Sequence, residues 1–194
     1  ELIKRNGKNI SSKYLHLKEG NGLPSDISKI VNIQIKKITK VRKKIKNLNF
    51  NKPLIMGILN VTPDSFSDGG EFLSVKDAFA QYKKLKKEGA AIIDVGGEST
   101  RPGSKTVPAK KEIQRIVPVI DQIKSNSKNS LVSVDTRKST VMKAVMKYNI
   151  DFINDVSGLR HDSKAISFLN NTKIPFIIMH SISNPTKMQS SIKY

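Results

Sequence analysis

The sequence contains no cysteine and no tryptophan, and it has no long apolar run. Without cysteine, a disulfide framework, a thiolate metal site and a cysteine nucleophile are all excluded. No stretch approaches the roughly 18 consecutive apolar residues that a membrane-spanning helix needs, and the N-terminus lacks the apolar core of a secretory signal. We therefore expect a globular protein of the cytoplasm.

Acidic residues are also scarce: the chain has 16 Asp and Glu residues and 35 Lys and Arg residues. The formal charge of +19 would suit a nucleic acid or an anionic membrane, since phosphates attract clustered cations. The excess is concentrated in residues 1–52, which hold 14 basic and 3 acidic residues. That segment is rich in Ile, Asn and Lys, whose codons are A/T-rich, so genome composition explains much of the charge. We expect no nucleic-acid partner and no membrane partner, and a basic RNA-binding or membrane-binding module in this segment is the alternative.

Residues 1–52 are predicted to form a basic N-terminal extension that is mostly one amphipathic helix. Glycine and proline interrupt its first 24 residues, which show no persistent period and receive no assigned element. From Ser25, at a predicted N-cap, apolar residues recur at helical spacing as far as Leu48, with lysines between them. We expect the apolar face to pack on the chain's own domain, with a partner or an anionic membrane surface as the alternatives.

From Pro53 onwards, short apolar runs alternate with helical patterns, which is typical of repeated βαβ units. Ser74 and Asp77 form a capping-box pattern at the start of the first helix, and Gly89 is placed to end it. Pro118 lies inside the second helical pattern, where it removes a backbone hydrogen bond and predicts a kink or a new helix start. The five predicted strands cover residues 53–60, 90–95, 131–135, 150–155 and 174–180.

Each predicted strand is nearly all apolar and ends in polar residues. A parallel sheet covered on both faces needs apolar strands, and its ligand site lies at the carboxyl ends of those strands. A (β/α)₈ barrel and a doubly wound sheet both obey this rule, so the alternation alone does not separate them. The strand-end residues are Asn60, Asp94, Asp135, Asn154 with Asp155, and His180.

Two loops after the first and second strands carry the most specific signal. The first reads GILNVTPDSFSDGG at residues 57–70, and the second reads IDVGGESTRPG at residues 93–103. Together they resemble the paired signatures of the dihydropteroate synthases. The later strand ends match in the same order, at residues 133–136, 153–155 and 179–180, and the resemblance extends over residues 48–194.

The resemblance implies an α/β fold, a (β/α)₈ TIM barrel. Such a barrel typically needs about 250 residues, so residues 53–194 are expected to form a pterin-binding barrel domain that is truncated after about five βα units. The family's remaining units contribute further pterin and phosphate contacts that have no counterpart here. We therefore expect this polypeptide by itself to be inactive. A fused upstream domain, such as a pterin pyrophosphokinase, stays open.

The resemblance also implies the reaction, that of a transferase in folate biosynthesis. The amine of p-aminobenzoate attacks the methylene carbon of 6-hydroxymethyl-7,8-dihydropterin diphosphate and releases pyrophosphate. A cation-like transition state of this kind needs a clamp for the diphosphate, a socket for the pterin and loops that exclude water.

The diphosphate clamp is expected at the ends of the first two strands. By resemblance, Asn60 is the magnesium-site residue, because its amide oxygen is a hard neutral donor that suits Mg²⁺. Asp68 is the second metal candidate. Thr100 and Arg101 take the positions that contact the pterin diphosphate, and Arg101 is also expected to act in catalysis because a guanidinium favours negative charge.

Asp135 and Asn154 match the family's pterin-recognition positions. A pterin presents a donor edge like that of guanidine, which a strand-end carboxylate accepts, and Asn154 can both donate and accept. Asp94 is the second catalytic candidate, facing either the pterin or the cation. Phe66 and Pro102 lie in the loops that would close around p-aminobenzoate.

Two further expectations complete the prediction. His180 is isolated from other histidines, so a polar strand-end role is favoured over metal binding. A homodimer is the expected assembly of the full-length protein, although the sequence itself does not fix it.

The main alternative function is another pterin-binding barrel, such as a methyltetrahydrofolate-binding methyltransferase domain, which would have no diphosphate to hold.

Overall fold

The computed structural model describes residues 2–7, 9–14, 16, 22–40, 44–62, 74–99, 104 and 106–179 of the chain. The chain divides into two compact units, Glu1–Lys44 and Ile45–Tyr194. The boundary between the two units therefore lies between residues 44 and 45, and not between residues 52 and 53 as predicted. The physical reason is that the residues just after the junction pack beneath the sheet of the second unit.

The first unit begins with an antiparallel hairpin in the segment that the periodicity left unassigned. Strand β1 spans Leu2–Asn6, strand β2 spans Asn9–Lys13, and Asn6 pairs with Asn9 beside the turn. Gly7 has a φ of 61°, a left-handed conformation that glycine adopts without steric penalty. Glycine at the first position of a two-residue loop is a hairpin signal, so turn chemistry could have predicted this element where periodicity could not.

Helix α1 follows the hairpin and spans Ser25–Thr39, with Pro24 rather than Ser25 at its N-cap position. The prediction that the helix continues to Leu48 was wrong. Lys46 has a φ of 52°, which a right-handed helix cannot contain, and Leu48 is buried in the second unit. The extension is thus a hairpin and a helix of 15 residues, not mostly one helix.

The second unit is a five-stranded parallel sheet in which strands and helices alternate. The strands lie side by side in their order along the chain. Sequential order is what a (β/α)₈ barrel requires, whereas a doubly wound sheet reverses its order at a switch point, so the predicted barrel class is confirmed. The elements are β3 Met56–Asn60, α2 Val75–Lys87, β4 Ile92–Gly96, α3 Ala109–Asn126, β5 Leu131–Asp135, α4 Ser139–Val145 with a 3₁₀ turn Met146–Tyr148, β6 Phe152–Asp155, α5 Ser163–Asn170 and β7 Phe176–Ile178.

The helix boundaries follow the local sequence signals. The Ser74 side chain accepts a hydrogen bond from the backbone N–H of Asp77 at 3.1 Å, and Gly89 ends α2 with a φ of 101°. Helix α3 continues on both sides of Pro118 as one element of 18 residues, so no second helix begins there. None of the helices in the described ranges is long and apolar enough to cross a membrane.

The two faces of the sheet differ because successive side chains of a strand point to opposite sides. One face packs against the helices and carries fully buried aliphatic residues, among them Leu59, Val95, Val134 and Ile153. The other face would line the interior of a barrel. At its N-terminal end it is apolar, where Ile92 and Phe152 are buried against Leu48. Its C-terminal end is polar, which places the candidate site there.

Candidate active site

A row of polar residues crosses the inner face at the carboxyl ends of four adjacent strands. The strand register pairs Asn60 with Gly96, Gly96 with Asp135, and Asp135 with Asn154. Residues in register across parallel strands lie side by side on the same face. The structure thus brings together residues from β3, β4, β5 and β6 that are up to 94 positions apart in sequence.

Asp94 and Ser133 lie on the same face in the row below. Asp94 pairs with Ser133 in the register, and the Asn154 side-chain amide donates to Asp94 Oδ2 at 2.9 Å. Asp94 Oδ1 and Ser133 Oγ are both buried, and neither makes a hydrogen bond of good geometry to another described residue, although the neighbouring Ser133 side chain lowers the pKa of Asp94. An unsatisfied buried polar group costs about 1–3 kcal/mol, so a ligand that supplies donors here would be stabilised.

Both carboxyl groups of the site hold their protons more tightly than usual. Burial raises the pKa of Asp135 to about 7, and the negative charges of Asp94, Glu112 and Asp155 add to the effect. Burial also raises the pKa of Asp94, against the opposing interactions with the Ser133 and Asn154 side chains. Near neutral pH, Asp135 can therefore accept hydrogen bonds from a ligand and still exchange a proton with it.

Two consecutive glycines after Asp94 have different surroundings. A Cβ on Gly96 would lie 3.4 Å from Asn60 Oδ1 and 3.6 Å from Asp135 Cβ, which is ordinary contact within the site. A Cβ on Gly97 would lie 2.7 Å from Ile116 Cγ2, which is a steric clash with α3. The first glycine therefore keeps the site open, and the second allows the chain to pack on the helix.

Asn60 is the one predicted metal ligand that lies within the described residues. Its exposed side chain stands at the end of the polar row, where Gly96 leaves room beside the amide oxygen. Mg²⁺ usually takes only one or two protein ligands and completes its shell with waters and substrate phosphate. The described ranges contain no group of three or more His, Cys, Asp or Glu that could hold a metal ion. Asn60 thus fits an open magnesium site rather than a closed one.

Five predicted site residues and His180 lie outside the described residues, so their roles stay predictions. The other four, Asn60, Asp94, Asp135 and Asn154, share the inner face of the sheet, and their individual roles also stay predictions. The residues outside the described ranges are Phe66, Asp68, Thr100, Arg101 and Pro102.

Ser133 and a buried charged cluster next to the site were not predicted from the sequence. Ser133 was recoverable, because it lies two positions before Asp135 on the same strand and must share its face. The cluster consists of Glu98, Glu112, Arg137 and Lys138, joined by ion pairs. Its members come from three separate segments, and no motif or period links them.

A sequential parallel βα sheet with convergent polar groups at its strand ends defines a barrel-type protein that binds a small ligand. The sequence profile described as "Pterin binding enzyme" matches residues 56–194. The chain belongs to this family.

Proteins similar to this chain include dihydropteroate synthases. The Haemophilus influenzae dihydropteroate synthase is 42% identical over 149 residues, which cover 77% of this chain and 54% of that protein. A Yersinia pestis dihydropteroate synthase structure with a sulfonamide drug is 36% identical with a TM-score of 0.70, over 79% of this chain and 56% of that one. A Xanthomonas albilineans dihydropteroate synthase structure with 4-aminobenzoic acid is 42% identical with a TM-score of 0.64, over 69% and 49%. The chain spans about half the length of these relatives.

Proposed function

We propose that this chain supplies the first half of the active site of a dihydropteroate synthase. The enzyme would condense 6-hydroxymethyl-7,8-dihydropterin diphosphate with p-aminobenzoate in folate biosynthesis. The observation that carries the proposal is the polar inner face, where two buried oxygens, Asp94 Oδ1 and Ser133 Oγ, make no hydrogen bond of good geometry to another described residue. The similarity to dihydropteroate synthases supports the choice of reaction.

The row suits the donor edge of a pterin. The pterin 2-amino and N3–H groups point the same way, as in guanidine, and the Asp135 carboxylate can accept both. The Asn154 amide nitrogen donates to Asp94, and its oxygen can accept a hydrogen bond from the ligand. Asp94 offers its buried Oδ1 to the same ring. The three side chains would hold the pterin flat across β4 to β6.

In the proposed reaction, the p-aminobenzoate nitrogen forms a bond to the pterin methylene carbon. The carbon–oxygen bond to the diphosphate breaks, the diphosphate keeps the bonding electrons, and the nitrogen loses a proton. Asp94 is buried on the same inner face and would stabilise positive charge on the pterin as it develops.

The departing diphosphate needs a cationic partner. We propose that Arg101 and Thr100 contact it and that Asn60, with Asp68, would hold Mg²⁺. When bound, the ion would neutralise charge on the diphosphate oxygens. Phe66 and Pro102 are proposed to close over p-aminobenzoate and exclude water. The cytoplasmic location and the homodimer also stay proposals for the full-length protein.

A pterin-binding methyltransferase domain is the competing function, because the same socket would bind methyltetrahydrofolate. The two functions differ in their products. We expect the longest natural polypeptide that contains these 194 residues to form dihydropteroate and pyrophosphate when both substrates and Mg²⁺ are present. Failure to release pyrophosphate, with methyl transfer instead, would overturn the proposal. The 194-residue chain by itself is expected to form no dihydropteroate, and product from it would contradict that expectation.

The two glycines give a matched pair of variants. Gly97→Ala is expected to lower the free energy of unfolding by about 1–3 kcal/mol, because the added methyl overpacks against Ile116. Gly96→Ala is expected to change stability by less than about 0.5 kcal/mol, since its contacts are ordinary. The same substitution should weaken pterin binding at least about tenfold, because the methyl fills the space beside Asn60 and Asp135.

The pair is checked by denaturant unfolding and by kcat/KM for the pterin substrate. If Gly96→Ala and Gly97→Ala lose stability equally and keep the same kcat/KM, the assignment of the inner face as the ligand site is wrong.

A further inference from the structure

A buried cluster of four charges lies beside the polar row. Lys138 Nζ lies 2.8 Å from Glu98 Oε2 and 2.5 Å from Glu112 Oε2, and Arg137 Nε lies 3.0 Å from Glu98 Oε2. Glu98 is 6% exposed and Glu112 is fully buried. Two cations balance two carboxylates, so the cluster carries no net charge. Removing charges from water is costly, and one isolated buried charge would cost several kcal/mol.

Glu98 attaches both ends of the segment that joins β4 to α3. It lies two residues after the end of β4, and its Oε1 accepts the backbone N–H of Val107 at 2.7 Å, just before α3 begins. Arg137, bound to Glu98 through Nε, also donates to Thr106 Oγ1 at 3.4 Å. One carboxylate therefore fixes the distance between the first and last residues of this segment.

The same carboxylate ties the segment to the next strand end. Arg137 and Lys138 follow Asp135 by two and three residues, and the Lys138 backbone N–H donates to the Thr136 side chain at 3.3 Å. Glu98 is thus bonded to the cations that directly follow the predicted pterin acceptor. A change at Glu98 would remove the link between Val107 and the residues that follow Asp135.

We propose that Glu98 is a positioning residue of the active site. Its carboxylate joins Val107, just before α3, to Arg137 and Lys138, which follow Asp135, and the functional consequence of this connection rests on the proposed synthase activity. In the sequence, Thr100 and Arg101, the proposed diphosphate contacts, lie between Glu98 and Val107. A displacement of about 1 Å away from productive geometry can cost about 100-fold in rate.

Glu112 provides the matched control. It belongs to the same cluster and is more deeply buried, but its side chain is bonded to Lys138 and to neither end of the segment. Glu98→Gln and Glu112→Gln each remove one buried negative charge from the cluster. A merely structural role predicts similar effects of both variants on activity.

The test uses the longest natural polypeptide that contains the chain, assayed at pH 8 so that Asp135 is ionised in every variant. We expect Glu98→Gln to lower kcat/KM for the pterin diphosphate by about 100-fold. At matched unfolding free energy, Glu112→Gln should lower it by less than about threefold. Equal losses in the two variants, or an unchanged kcat/KM in Glu98→Gln, would overturn the proposal.

Amide hydrogen exchange separates this proposal from the proposed function. If Glu98 anchors the segment, the Val107 N–H should exchange at least about tenfold faster in Glu98→Gln than in Glu112→Gln, with or without synthase activity. Unaccelerated exchange at Val107 would refute the anchoring itself. A wild-type polypeptide that forms no dihydropteroate, with the exchange effect present, would refute the synthase assignment and the catalytic purpose of the anchor but not the anchor.

Discussion

Replacing Asp135 with Asn is expected to lower kcat/KM for the pterin substrate by at least about 100-fold, because two hydrogen bonds to a charged acceptor are lost. The same substitution should make the chain more stable above pH 7. Burial and four neighbouring carboxylates oppose ionisation of Asp135, and an amide carries no charge to oppose. A substitution that lowers kcat/KM and raises stability identifies a residue that is retained for binding and not for stability.

The pH dependence of the wild-type chain follows from the same pKa. The folded-state pKa of Asp135 is about 7, above its ordinary value of 3.8, so between these values the folded state binds more protons than the unfolded state. The contribution of Asp135 to stability is therefore favourable at low pH, is lost as the pH rises from about 4 to 7, and is level above 7. Asp135→Asn should thus gain about 1–3 kcal/mol at pH 8 and nothing near pH 4.

Activity should show the reverse trend. Because the pterin donors need an ionised acceptor, kcat/KM is expected to fall about tenfold per pH unit below 7 and to be level above it. Asp135→Asn should abolish this acid limb. Asp121→Asn, at an exposed carboxylate on α3, is the control and should change neither stability nor the pH profile. An acid limb that survives in Asp135→Asn would assign the titration to another group.

Replacing Asp151 with Ala is expected to lower the free energy of unfolding by about 3 kcal/mol. Asp151 lies just before β6, at the end of the sheet opposite the polar row. Its Oδ2 accepts the Val132 N–H at 2.9 Å and the Lys124 ammonium at 2.5 Å, and its Oδ1 lies 3.3 Å from Lys46 Nζ. The substitution leaves a buried N–H and a mostly buried ammonium short of an acceptor.

Lys46→Met is the matched control for Asp151→Ala. The Lys46 side chain is half exposed, so its ion pair should contribute less than about 0.5 kcal/mol. Denaturant unfolding of the chain measures both variants. A loss of less than about 1 kcal/mol in Asp151→Ala would show that solvent or another side chain replaces the carboxylate.

The parts of the fold that were predictable depend on neighbours in sequence. The α2 cap joins Ser74 to Asp77, and its stop needs only Gly89, so the signals lie within a few residues of their effect. The strand runs were predictable for the same reason. The end of α1 was not predictable, because the helical period of isoleucines and valines continued to Leu48, which is apolar because it packs against the sheet of the second unit.

In the candidate site, the residues were predictable from local sequence, but their electrostatic properties were not. Asn60, Asp94, Asp135 and Asn154 could be named from sequence because each ends an apolar run, and parallel strands bring such ends to one edge of the sheet. Their electrostatics could not be predicted. A pKa near 7 for Asp135 depends on burial and on charges contributed by other strands and helices.

The sequence by itself determined the alternation of strands and helices, the strand-end residues and the family, because these follow from local periodicity and short motifs. The tertiary structure decided which polar atoms are buried without partners and which charges meet. Glu98 and Lys138 are 40 residues apart and touch because β4 and β5 are adjacent. Hydrogen bonding and desolvation depend on distance in space, so only the folded chain defines the anchor beside the site.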